Sequence, residues 1–214
     1  MSINASPSSA TPPPALPASR RELNKTATRE AIANAALAFL RSGNLSSFTV
    51  DDVAAAAGVS RRTFFNYFSS VEAAIASFTQ TYLDAIIMAF KDRPAGESIL
   101  ESAQVALSVA GNSQDLTVLA EVFALTQDPQ LGRFQLQAWD DCSLKITELA
   151  RRQLPEGTDE LYIHALVGAV IGSCRAAFIV WYQRHGRDTS PAALSDLREL
   201  LSDTISLIRN GFAV

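Results

Sequence analysis

Apolar residues recur at three- and four-residue steps along almost the whole chain, and no alternating strand pattern or hairpin turn stands out. Over Thr26–Ser42 this spacing puts Ile32, Ala35, Ala36, Phe39 and Leu40 on one helical face, with Gly43 as a natural stop. Thr49 followed by Val50, Asp51 and Asp52 is a hydroxyl cap with an acid three residues later, so a second helix starts there and ends at Gly58. Ser60 caps a third, very short helix, Arg61–Phe68, in which Phe65 and Phe68 are expected to be the inward anchors. A longer helix over about Ser70–Phe90 carries the stripe Ile75, Phe78, Leu83, Ile86, Ile87 and Phe90, and Asp92, Arg93, Pro94 and Gly96 break it. Five more helices are predicted at about 95–111, 115–126, 129–153, 159–185 and 191–211. Gly111-Asn112, Asp128-Pro129, Pro155-Glu156-Gly157 and Gly186 with Pro191 punctuate them. The fold class expected is all-α with about nine helices.

Composition adds bounds. A chain of 214 residues, 48% hydrophobic and 19% charged, is long enough to bury a sizeable core. Residues 1–19 hold five of the nine prolines and no charge, which predicts a disordered tail. The longest uninterrupted apolar run, Ala165 to Gly172, ends at Ser173 and Arg175, short of a membrane span. The start lacks the basic and apolar parts of a secretory signal, so the expected location is the cytoplasm. Cys142 and Cys174 provide neither a disulfide framework nor a metal-binding spacing. With two histidines, no nucleophile elbow, no phosphate loop and no dinucleotide fingerprint, no metal, no cofactor and no enzymatic activity are expected. The acidic pairs Asp51-Asp52 and Asp140-Asp141 are adjacent and point about 100° apart on a helix, so they do not converge.

The formal net charge of −4 hides an asymmetry. Residues 20–71 carry seven basic groups against four acidic, a net of +3, whereas residues 94–214 carry nine against fifteen, a net of −6. A basic N-terminal module on an acidic body lets one part approach phosphate while the other serves a different partner.

The segment Thr49–Phe68, TVDDVAAAAGVSRRTFFNYF, has the spacing of a helix-turn-helix: two short helices, a turn at Gly58, Val59 packing between them and Ala54–Ala57 allowing a close crossing. Its second helix opens with Ser60, Arg61, Arg62 and Thr63. An arginine there suits a guanine edge, and Thr63 suits a thymine methyl or a phosphate. Asn66 lies one turn after Arg62, and the Tyr67 hydroxyl suits a phosphate oxygen.

Residues 28–75, above all Phe48-Thr49-Val50, Gly58-Val59-Ser60 and Thr63-Phe64-Phe65-Asn66-Tyr67-Phe68, resemble the N-terminal DNA-binding domain of the TetR family of bacterial regulators. The resemblance implies a DNA-binding helix-turn-helix domain at 20–70, a connecting helix at 71–93 and a ligand-binding and dimerisation domain at 94–214. It implies a cytoplasmic homodimer that binds a near-palindromic double-stranded operator, usually as a repressor released by a small-molecule effector. Thr49, Ser60, Arg61, Arg62, Thr63, Asn66 and Tyr67 would touch DNA, and Arg20, Arg21 and Lys25 would follow a groove as an N-terminal arm. One position departs: where many members carry Pro-Ser-Lys-Glu after the Tyr-Phe pair, this chain reads Ser69-Ser70-Val71-Glu72. Losing that lysine removes one phosphate contact and about one unit of salt slope. An activator, or a helical protein-interaction module without DNA binding, is the alternative.

In the second part, the helix at 159–185 is apolar nearly all round, and Gly168, Gly172 and Ala176 repeat at four-residue steps. With Leu197, Leu201 and Ile205 of the last helix they form the expected dimer interface, an intrachain core being the other reading. Arg175 interrupts the apolar helix and needs an acid across the interface or an anionic ligand. His164 reads as a satisfied core or surface histidine. Phe123, Phe134, Trp139, Phe178 and Trp181 are candidates to line an apolar cavity. With Arg175 they suggest an apolar or amphipathic anionic effector.

Overall fold

The computed structural model describes residues 19–42, 48–94, 96–127 and 129–213, the side chains of 129–134 apart. Nine helices run in order among these residues: α1 (Arg20–Ser42), α2 (Val50–Ala56), α3 (Arg61–Tyr67), α4 (Val71–Lys91), α5 (Ile99–Gly111), α6 (Gln114–Leu125), α7 (Pro129–Gln153), α8 (Glu160–His185) and α9 (Pro191–Arg209). The expected tail up to residue 18, Gly43 and the side chain of Phe134 lie outside the described residues.

Local chemistry sets the starts. α1 begins six residues earlier than its apolar face predicts, because Ser19 and Glu22 cap it reciprocally: the Ser19 N–H donates to Glu22 Oε2 at 2.8 Å and the Glu22 N–H to Ser19 Oγ at 3.3 Å. Its buried face is Ile32, Ala33, Ala36, Leu37 and Leu40, with Ala35 and Phe39 only partly covered. Ser60, Ser70, Ser98, Asp159 and Ser190 each accept from a backbone N–H in the first turn of the following helix.

Two cores form. The head core joins Ile32, Ala36, Leu40, Val53, Phe64 and Phe68 to Val71, Ala74 and Ile75 of α4, and Val122 of α6 completes it. The body core takes Tyr82, Leu83 and Phe90 from the other end of α4 and packs them with α5 to α9. Helices α4 and α6 therefore belong to both. A two-pronged ion pair ties α6 to the head: Arg41 Nε and Nη2 donate to the two Glu121 carboxylate oxygens at 2.5 and 2.6 Å. Within the body, Trp181 Nε1 donates to Ala193 O at 2.8 Å, fixing α8 on α9.

Helix α8 shows why its sequence is apolar all round. Ile163, Val167, Val170, Cys174, Ala177, Phe178 and Trp181 face the core. Leu161, Ala165, Gly168, Gly172, Ala176 and Ile179 form a second, exposed stripe. Although no uninterrupted apolar run is long enough, the stretches Arg61–Lys91 and Glu160–His185 are long and apolar enough overall to cross a membrane; core packing accounts for one face of each. For α9 the expectation needs correction. Leu197, Leu201 and Ile205 are buried against α5 and α8 of their own chain and present nothing to a partner, because their stripe is consumed by the body core.

Candidate nucleic-acid interface and core cavity

The short helix α3 is held from three sides. In the turn before it, Gly58 takes φ +67°, where a side chain is strained, and the Val59 N–H donates to Ala54 O at 2.9 Å. Ser60 Oγ accepts from the Thr63 N–H at 3.0 Å and lies 2.8 Å from the Thr63 hydroxyl. At the far end Arg29 of α1 donates to Tyr67 O at 3.3 Å and lies 4.4 Å above the Phe68 ring, a clamp that no local sequence signal revealed. The inward anchors are Phe64 and Phe68, four apart, rather than Phe65 and Phe68. One residue's 100° rotation turns Phe65 outward, leaving it 47% exposed beside the Arg61 guanidinium at 5.5 Å.

Helix α2 is fixed by a complete capping box. The Asp52 N–H donates to Thr49 Oγ1 at 3.3 Å, and the Thr49 N–H and hydroxyl donate to Asp52 Oδ2 at 2.7 and 2.8 Å. The Thr49 N–H, then its hydroxyl, hold the Asp52 carboxyl below its ordinary value. Thr49 is thus engaged with Asp52, and Asp51 pairs with Arg61 Nη1 at 2.6 Å.

What remains is one exposed face of α3 made by Arg61, Arg62, Phe65 and Asn66, with Ser60 and Thr63 interlocked at its edge. Tyr67 is half-buried against the head core. Arg20, Arg21 and Lys25 are exposed, on the first turns of a regular helix rather than on an extended arm. Ser70, the serine this chain shares with that pattern, caps α4 by accepting from the Ala73 N–H at 3.2 Å. The surface is therefore a rigid, convex helix edge with two guanidinium groups, the shape and chemistry of a major-groove reader.

Residues 32–76 match the family described as bacterial regulatory proteins, tetR family. The match covers the helix-turn-helix and the start of α4, the part that forms the head. Solved structures agree on the fold. FadR of Thermus thermophilus, a TetR-family repressor solved with lauroyl-CoA, shares 22% identity over 87% of this chain and 95% of its own, with a TM-score of 0.55. The fatty acid degradation regulator FadR of Bacillus halodurans shares 15% identity over 86% and 95%, with a TM-score of 0.54. A TetR-family regulator of Mesorhizobium loti shares 16% over 87% and 96%, with a TM-score of 0.51. No curated protein matches the chain.

The body encloses an apolar cavity of about 40 Å³ between α4, α5, α7, α8 and α9. Trp139 and Phe178 line it. Phe123 does not; it packs 5.4 Å from Phe178 and 6.3 Å from Tyr182. Trp181 is core, tied to Ala193. Arg175 is not in the lining either: it follows Cys174, which is, and is turned about 100° away and half-exposed. His164 is a surface histidine, 3.7 Å from Glu160. Both thiols line the cavity. Burial above all pushes Cys142 up to about 12 and Cys174 up to about 11, so both stay protonated and unreactive. Among the described residues no cluster of three His, Cys, Asp or Glu is placed to hold a metal.

Proposed function

We propose that the protein is a homodimeric, non-catalytic repressor that grips a near-palindromic operator through α3 and lets go when a small molecule enters the body. The observation that carries the DNA-binding half is the exposed face Arg61-Arg62-Phe65-Asn66, locked by the Ser60 cap, the Phe64 and Phe68 anchors and the Arg29 clamp. The lauroyl-CoA held by the Thermus thermophilus relative supports an amphipathic effector. Release is supported by continuity: the cavity wall includes Tyr82, Leu83, Ile86 and Phe90 of α4, the helix whose first turns are head core.

The dimer surface is the exposed stripe of α8, Gly168, Gly172 and Ala176 flanked by Leu161, Ala165 and Ile179. Small residues there allow a symmetry-related α8 to approach closely. Arg175 sits at the edge of this stripe, three residues after Gly172, which favours an acid across the interface as its partner over a ligand.

The test is a gel shift with the protein's own promoter fragment. The wild-type chain binds with an affinity that falls steeply as salt rises, and the double variant Arg61→Ala, Arg62→Ala loses at least about tenfold, since each good base contact contributes about 1–3 kcal/mol. Unchanged affinity in the double variant, or a flat salt response, overturns the reading.

A further inference from the structure

The core cavity and a surface groove of about 380 Å³ between α5 and α9 share two walls, Leu107 and Leu201. On the cavity side the lining is apolar except for Tyr82 and two protonated thiols. The Tyr82 side chain is 1% exposed, and its hydroxyl, with no hydrogen-bond partner among the described residues, presents no surface to the cavity. On the groove side stands one cation, Arg198. Its Nε donates to Gly111 O at 2.8 Å, which seats the guanidinium on the groove wall. No described carboxylate forms an ion pair with it. Burial raises the Tyr82 phenol most, the Cys174 thiol raises it further, the Arg198 charge lowers it, and Asp115 raises it.

We infer that the effector is an anion-headed amphiphile whose head lies on Arg198 in the α5–α9 groove and whose apolar tail passes Leu107 and Leu201 into the core cavity. This deepens the effector reading above and rests on it. A carboxylate suits the free fork of a guanidinium held by its Nε. The cavity admits about three water-sized groups as it stands. Only the end of a tail fits without movement; a longer one displaces Leu83 and Phe90, and so α4.

Calorimetry on the full-length protein without DNA tests this, with octanoate as the probe and octanol as its uncharged counterpart. Octanoate should bind at least about tenfold tighter than octanol, the scale of a charge-assisted contact. Arg198→Gln should bring octanoate down to the octanol affinity and leave octanol unchanged. Arg198→Lys, which keeps the charge without the fork, should fall between. Full octanoate affinity in folded Arg198→Gln, equal affinity for octanol and octanoate, or no binding of either overturns the site. A parallel gel shift on the same preparations separates the failures. Intact DNA binding with failed calorimetry removes this site alone, while absent DNA binding in the wild-type chain removes the regulator reading beneath it.

Discussion

Arg61 has two claimants. Its pair with Asp51 spans 2.6 Å between side chains that are 60% and 61% exposed, and an ion pair so open to water contributes at most about 1 kcal/mol and is screened by salt. A groove can therefore take the guanidinium from the carboxylate, at a small cost. Asp51→Asn should raise operator affinity by up to about fivefold at low salt, the gain shrinking as salt rises, measured by gel shift. A weaker complex would mean that Asp51 aims Arg61 instead of restraining it. At this scale the frame of the candidate surface was legible: the Thr49 and Ser60 caps and the place of the twin arginines on α3 follow from capping chemistry and spacing. The Arg29 clamp was not, since a contact thirty-eight residues away leaves no local trace.

Helix α3 illustrates what periodicity can and cannot decide. Seven residues span about two turns, too few to fix the phase of an apolar stripe when Phe64, Phe65 and Phe68 all compete for the inside. Packing chose Phe64. Phe64→Ala should cost about 3–5 kcal/mol in urea unfolding, whereas Phe65→Ala should stay within about 0.5 kcal/mol, as suits a side chain in solvent. Comparable losses for both would place Phe65 in the core after all. Helix α9 teaches the complementary lesson. Its stripe of Leu197, Leu201 and Ile205 was plain in the sequence, but a stripe reports only that something covers it; here α5 and α8 of the same chain do. The start of α1 was legible in principle, because Ser19-Arg20-Arg21-Glu22 is a capping-box pattern that lies outside the apolar period.

For the whole molecule, the unpartnered face of α8 should decide assembly. Apart from the helix's own adjoining backbone and chain neighbours, no described atom lies within 4 Å of where a side chain at Gly168 or Gly172 would begin, so enlarging either does not disturb the packing of α8 on the rest of the chain. Gly172→Trp should leave the thermal midpoint of a dilute, monomeric sample unchanged while converting a sedimenting dimer to monomer. The salt dependence of operator binding should fall to about half with it, as one head is lost. A variant that still sediments as a dimer would move the interface elsewhere.

No glycine or proline interrupts α4 between Val71 and Lys91, so it acts as a stiff rod about 30 Å long. A tilt of about 5° at its body end would swing the far end through nearly 3 Å, by the same geometry. With two such rods moving in opposite directions, the distance between reading helices would change by about 5 Å against a groove repeat of about 34 Å, enough to carry both out of register. A few displaced carbons beside Phe90 would thus be magnified by leverage alone, with no joint needed along the way.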